Sequence, residues 1–292
     1  MSLVSFVRAQ SAEPELLKKA IVESLELIKF DFGKKAKKIV IKPNMCYYYH
    51  PSTGEVTDPR FVGALIDVFR EKLGASEILV VESDASAMTC KNAFSMLGYD
   101  EMAAEKRVTL VNLCNMKYRV VNKTIRGRDF KFHIPELFSE ADLVVNVPKP
   151  KYMEVVKISC ALKNFYGCNA YQNKFIYHKV LDDAIVAINE SVKTHLVVLD
   201  GLVVVGKYTK RLNLVMSSED PVSADSAVSQ MMGLAPKSIG AIVLAAKKGI
   251  GISSFSPVGE FSYFKSQFPS KTLKDDLRAT AANIYLQIFS EH

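Results

Sequence analysis

"ADLVVNVPKPK", residues 141–151, is the stretch on which the fold turns. From Leu143 to Val147 it is apolar except for Asn146, with no polar alternation to mark one wet face. A strand of that kind is covered on both sides, as in a parallel sheet whose crossover helices pack on each face. Two prolines then end it, and Lys149 and Lys151 follow at once. In an open α/β sheet, ligands bind just beyond the carboxyl ends of the strands. The same stretch therefore predicts an architecture and a place to look for chemistry.

Comparable runs recur: KIVIK (38–42), EILVVE (77–82), RVTLVN (107–112), HLVVLD (195–200) and LNLVMS (212–217). Between them, DPRFVGALIDVFREKLG (58–74), CKNAFSMLGYDEMAAEK (90–106) and VLDDAIVAINESV (180–192) carry apolar residues at helical spacing. The alternation predicts a three-layer α/β fold, a mostly parallel sheet flanked by helices, Rossmann-like but without a dinucleotide fingerprint. Asp58-Pro59 and Asp220-Pro221 each set a capping carboxylate before a proline suited to the first helical turn. Gly74 and Gly233 fall where a helix end wants a left-handed residue. The expected organisation is one α/β unit over 1–292, with its motif-bearing core at 38–251 and a C-terminal amphipathic helix at 271–290. Two lobes around a cleft are compatible with the same pattern.

With 49% apolar residues in 292, the chain can fill a sizeable core. Its longer apolar runs, such as IGAIVLAA (239–246), fall short of the roughly 20 residues that a membrane span needs. The N-terminus lacks the basic and then apolar pattern of a leader, so a cytoplasmic protein with no membrane partner is expected. Five cysteines form no CxxC pair; free thiols, and no iron–sulfur cluster, are the expectation. A net charge of +7 favours anionic partners, but neither a long basic run nor an aromatic stacking platform marks nucleic acid as the main one. P-loop, GxSxG and HExxH motifs are absent, and the lone GxG of GIGIS (249–253) follows a helix rather than a strand. The sequence carries no signal of oligomeric state.

Four strand ends hold the candidate site. Lys42 and Asn44 follow the first, Asp84 the second, Lys149 and Lys151 the third, and Asp200 closes the fourth. Turn chemistry explains the Pro, Asn, Asp and Gly at these places, but a turn does not need lysine. Further on, ALKNFYGC (161–168) adds Lys163, Asn164 and Gly167, which offer a charge, a directional amide and a close backbone approach. These residues suit a small carboxylate or phosphate; a desolvated lysine could equally serve as base or Schiff-base nucleophile. His178, Asp84, Asp200 and Asp225 are the candidates for acid–base work or for holding a divalent cation. Asp225 sits inside its helix rather than at its cap, where favouring the helix dipole is the plainer alternative.

In order along the chain, IKPNM (41–45), TDP (57–59), ADLVVNVPKPK (141–151), ALKNFYGC (161–168), His178, VVLDG (197–201) and EDPVSADSAVSQMMGL (219–234) resemble the serial motifs of the DUF362 family, a domain of unknown function. Many members of that family carry ferredoxin-like iron–sulfur modules; this chain shows only the core, with no CxxCxxC. Where members commonly have Lys-Thr-His, this chain has Lys151-Tyr152-Met153, which leaves His178 as the matched histidine. The expected function is an enzyme acting on a small anionic metabolite, with residues 146–168 forming one wall of a lysine-rich cleft. The alternatives are a non-catalytic binding or accessory protein for a nucleotide, RNA or redox partner, and, by family association, an oxidoreductase. Reaction type and cofactor stay open.

Overall fold

The structure, a computed structural model, describes residues 1–33 and 35–270. The helix expected at 271–290 lies outside the described residues. In chain order the strands are β1 (Ser2–Arg8), β2 (Lys38–Pro43), β3 (Glu77–Glu82), β4 (Thr109–Asn112), β5 (Tyr118–Ile125), β6 (Arg128–Pro135), β7 (Leu143–Val147), β8 (Lys151–Met153), β9 (Lys157–Ser159), β10 (Leu196–Val205), β11 (Thr209–Ser218) and β12 (Phe255–Gly259). The helices are α1 (Pro14–Leu27), α2 (Pro59–Leu73), α3 (Cys90–Met96), α4 (Tyr99–Lys106), α5 (Leu137–Glu140), α6 (Ala161–Asn164), α7 (Leu181–Asn189), α8 (Pro221–Met231), α9 (Gly240–Lys247) and α10 (Phe261–Gln267).

The main sheet has the order β12-β1-β11-β10-β7-β2-β3-β4, with β8 beside β10 and β9 beside β8. From β10 to β4 every neighbour is parallel, as are β1 and β12, whereas β11 is antiparallel to both β1 and β10. The sheet is thus mostly parallel, as the apolar strands predict. Ile39 and Ile41 of β2 enter one hydrophobic core and Val40 the other; on β7, Leu143, Val145 and Val147 enter the first and Val144 the second. Successive side chains of a strand point to opposite faces, so an unbroken apolar run requires two cores. Helices α1 to α4 cover one face and α6 to α10 the other, which makes the three layers.

The local punctuation acts as read. Asp58 accepts from Arg60 N at 2.9 Å to start α2, and Gly74 ends it in the left-handed region at φ +66°. Asp220 accepts from Val222 N at 2.8 Å and Ser223 N at 3.0 Å to start α8. Residues 90–106 form two helices rather than one, because Gly98 turns to φ +77°, a conformation that only glycine adopts without strain, and redirects the chain. β10 does not stop at Asp200. It runs to Val205, since β11 pairs along it with a register shift between Gly201 and Val203, so Asp200 lies within a strand.

A second, two-stranded sheet of β5 and β6 closes through Arg126 and Gly127, both at positive φ. Phe130, Phe132 and Ile134 of this hairpin enter the core, while Arg126 and Arg128 both bind the fully buried Asp183 of α7. No helix among the described residues is long and apolar enough to cross a membrane.

Asp220 does more than cap α8, for it also accepts from Ile252 N at 2.8 Å and Ser2 Oγ at 3.1 Å. Replacing it by alanine is expected to lower stability by about 1–2 kcal/mol. A reduced urea midpoint with an unchanged slope is the readout; an unmoved midpoint would remove the cap from the forces that hold α8.

Candidate functional site

The segments that follow β2, β3 and β7 meet around one cavity of about 250 Å³. Lys42, the penultimate residue of β2, is only 1% exposed and forms part of its floor. Its Nζ donates to Glu82 Oε2 at 2.6 Å and to the Pro43 carbonyl at 2.7 Å. Glu82, the last residue of β3, also accepts from Ser83 N at 2.8 Å and Met45 N at 3.3 Å. A buried ion pair persists only where further hydrogen bonds satisfy both ends, as here. Gly167 rests against this pair: a Cβ there would come within 3.0 Å of Lys42 Cε and 3.1 Å of Glu82 Oε1. Its carbonyl accepts from Ser83 Oγ at 2.7 Å.

Three asparagines join the strand ends to α6. Lys42 stands opposite Asn146 in the β2–β7 ladder, and Asn146 donates to the Ala161 carbonyl at 2.8 Å. Asn164 Nδ2 donates to Asn146 Oδ1 at 2.8 Å and to the Lys42 carbonyl at 3.1 Å, and Asn164 Oδ1 accepts from Asn44 Nδ2 at 3.0 Å. One turn of helix cannot hold itself together, so α6 depends on such partners. Its first amides find theirs on α8: Asp225 Oδ1 accepts from Ala161 N at 2.7 Å and Oδ2 from Leu162 N at 3.2 Å. Burial pushes the Asp225 carboxyl up to about 7, against the opposing pull of Cys160 and the two amides.

Helix α6 in turn aims Lys163 at the cavity. Lys163 is half-buried, and among the described residues no carboxylate lies at ion-pair distance from it. Burial, and then the Lys151 cation, hold it below the ordinary lysine range. Lys151 is itself compensated, donating to the Glu55 carbonyl at 2.8 Å with the Glu55 carboxylate at 3.3 Å. Lys174 borders the cavity too, bonded to the Asn169 carbonyl and likewise pulled down by burial. At the rim the exposed His178 meets the Phe175 ring at 4.5 Å; partial desolvation and then the Lys163 charge lower its pKa. The lining thus carries Lys42, Lys151, Lys163 and Lys174 against one carboxylate, Glu82.

Of the residues singled out in the sequence, Lys42, Asn44, Lys151 and Lys163 border this cavity, together with Asn164, Gly167 and His178. Lys149 and the three aspartates do not. Lys149 is buried against Asp200 at 3.1 Å, and Asp200 also accepts from Asp58 N at 2.8 Å and Leu202 N at 3.0 Å. Burial drives Lys149 down and Asp200 up, each opposed by the other's charge. Asp84 accepts from Cys90 N at 2.7 Å and Asn112 Nδ2 at 2.9 Å, which fixes the start of α3. Asp225 does cap a helix, though not its own. Sequence reading passed over Glu82, although an acid at the inner end of an apolar strand was a visible signal, and over Lys174. Among the described residues no group of three or more His, Cys, Asp or Glu side chains gathers as a metal-binding cluster.

Because the folded protein holds the Asp225 proton up to about 7, against an ordinary 3.8, its contribution to stability is full below that ordinary value and is lost as pH rises through 7. Asp225→Asn removes this dependence but leaves one α6 amide without an acceptor. The variant is therefore expected to be less stable than the parent at pH 5, with the gap narrowing toward pH 8, as read by urea unfolding at both values. A gap that is constant with pH would mean that Asp225 is ionised throughout.

The thylakoid-associated protein sll1697 of Synechocystis sp. is 21% identical to this chain over 266 residues, covering 86% of this chain and 80% of that protein. The lactate racemase apoprotein from Thermoanaerobacterium thermosaccharolyticum superposes with a TM-score of 0.48 at 14% identity, over 80% of this chain and 58% of that one. This chain thus spans less than two thirds of that racemase. The family model for DUF362, a domain of unknown function, matches residues 39–230, the span that holds the β2–β3 ion pair, the asparagine links and the cavity lysines, and the chain belongs to that family.

Proposed function

We propose that the cavity binds a small anion, carboxylate or phosphate, and that the protein is an enzyme acting on that ligand. The observation that carries this reading is Lys163. Lys42, Lys149 and Lys151 each have a carboxylate within 4 Å, whereas Lys163 has none among the described residues. A half-buried ammonium without a counter-ion is unfavourable when empty, and an incoming anion supplies the missing partner and raises its pKa again. Lys174, on the same lining, likewise has no carboxylate at ion-pair distance among the described residues. Lys42 and Lys149 hold the strand ends in place rather than meeting ligand, since both are almost wholly buried in ion pairs. His178, whose lowered pKa keeps the imidazole neutral at pH 7, stands at the rim as the group that accepts a proton from bound ligand. Asp84, Asp200 and Asp225 act through the walls that they position.

Calorimetric titration with inorganic phosphate and with acetate at low ionic strength tests this reading. Lys163→Met keeps much of the apolar stem and removes the charge, so affinity is expected to fall at least about tenfold with little loss of stability. Lys149→Met should do the reverse, costing about 3 kcal/mol of stability by stranding the buried Asp200 carboxylate. Because anion binding raises the Lys163 pKa, titrations at alkaline pH in buffers of different ionisation heat should also show proton uptake. Unchanged affinity in Lys163→Met would defeat the proposal.

A further inference from the structure

We infer that the anionic group is carried on a flat aromatic body, an aryl carboxylate or aryl phosphate, an inference that rests on the proposed role of Lys163. Beside its lysines the cavity has an apolar wall contributed by Met45, Met88, Met153, Tyr47 and Phe175. Methionine side chains are flexible and polarisable, and they conform to ligand surfaces that branched residues would not follow. An inorganic anion would use Lys163 and leave that wall wet.

Two aromatic residues of the lining face water. Tyr47 is 44% exposed and Phe175 is 52% exposed, and both border the cavity. Tyr47 is also held at φ +58°, in the left-handed region, a position that is strained for a bulky side chain. The cause is local. In Cys46-Tyr47-Tyr48-Tyr49-His50 the middle tyrosine is pinned, its hydroxyl accepting from Thr89 N at 3.0 Å, and the flanking Tyr47 and Tyr49 remain exposed with their rings 6.0 Å apart. Tyr47 and Phe175 thus bring exposed rings to the cavity from two different segments, where a flat ligand would cover both. Ring faces and edges favour an aromatic partner over an aliphatic one of equal size.

The full-length protein is titrated with two like-headed pairs, acetate against benzoate and inorganic phosphate against phenyl phosphate. In each pair the aryl member is expected to bind at least about tenfold tighter, and the tighter of benzoate and phenyl phosphate identifies the head group. In a Tyr47→Asn, Phe175→Ser double variant, where asparagine tolerates the left-handed backbone, both preferences should shrink to within about twofold. Equal binding within each pair, with Lys163→Met still weakening all four ligands, overturns this inference and leaves the anion site standing. Failure of all four to bind overturns both. An aryl preference that survives the double variant removes the aromatic mouth as its source.

Discussion

A lysine and a glutamate, both withdrawn from water, meet at 2.6 Å where β2 and β3 end side by side. Neither charge could be buried alone, because removing one partner would leave an uncompensated ion in a medium that solvates it poorly. The pair therefore constrains everything packed on it. Met45 N and Ser83 N must point at Glu82, and the residue above must lack a side chain, which is the place of Gly167. Ser83 then ties the Gly167 carbonyl down, so the 3-10 turn after α6 is referred directly to the ends of two parallel strands.

From that base, the lysines sort by how completely they are compensated. Lys42 and Lys149 lie deepest, each with a carboxylate, and serve the architecture. Lys151 is buried but balanced by Glu55. Lys163 and Lys174 are half-buried without a carboxylate at ion-pair distance among the described residues, and burial depresses both. Such a gradient concentrates positive potential in a concave, partly desolvated place, where electrostatic attraction is stronger than at an open surface. The same sorting explains the modest significance of the overall charge of +7: what matters is which cations have no carboxylate beside them among the described residues.

Helix α6 shows how a side chain at the cavity can be positioned in part by residues outside it, Asp225, Asn189 and Asn146. With one turn, it has no cooperative stability of its own. Asp225 satisfies its first amides, Asn189 Nδ2 donates to the Leu162 carbonyl at 2.8 Å, and the asparagine links clamp it to β2 and β7. Each contact spans helices or strands distant in sequence, so Lys163 is aimed by α7, α8, β2 and β7 together.

The sequence by itself determined the class of fold, because the evidence for it is local: apolar runs without alternation demand cover on both faces, and Asp58, Asp220 and Gly74 punctuate helices through contacts within a few residues. It also marked Lys42, Asn44, Lys151, Lys163, Asn164, Gly167 and His178, which the fold gathers around one cavity. It could not sort them from their neighbours. Lys149 and Lys151 are two residues apart, yet one lies buried on Asp200 and the other lines the cavity, a choice made by β10 continuing past Asp200 under the pairing of β11. Asp225 caps a helix that begins 64 residues earlier, and Glu82 finds Lys42 across 40 residues. Ion pairing and capping of this kind depend on separations of a few ångströms between remote segments, and those separations exist only once the sheet order has set β2 between β7 and β3.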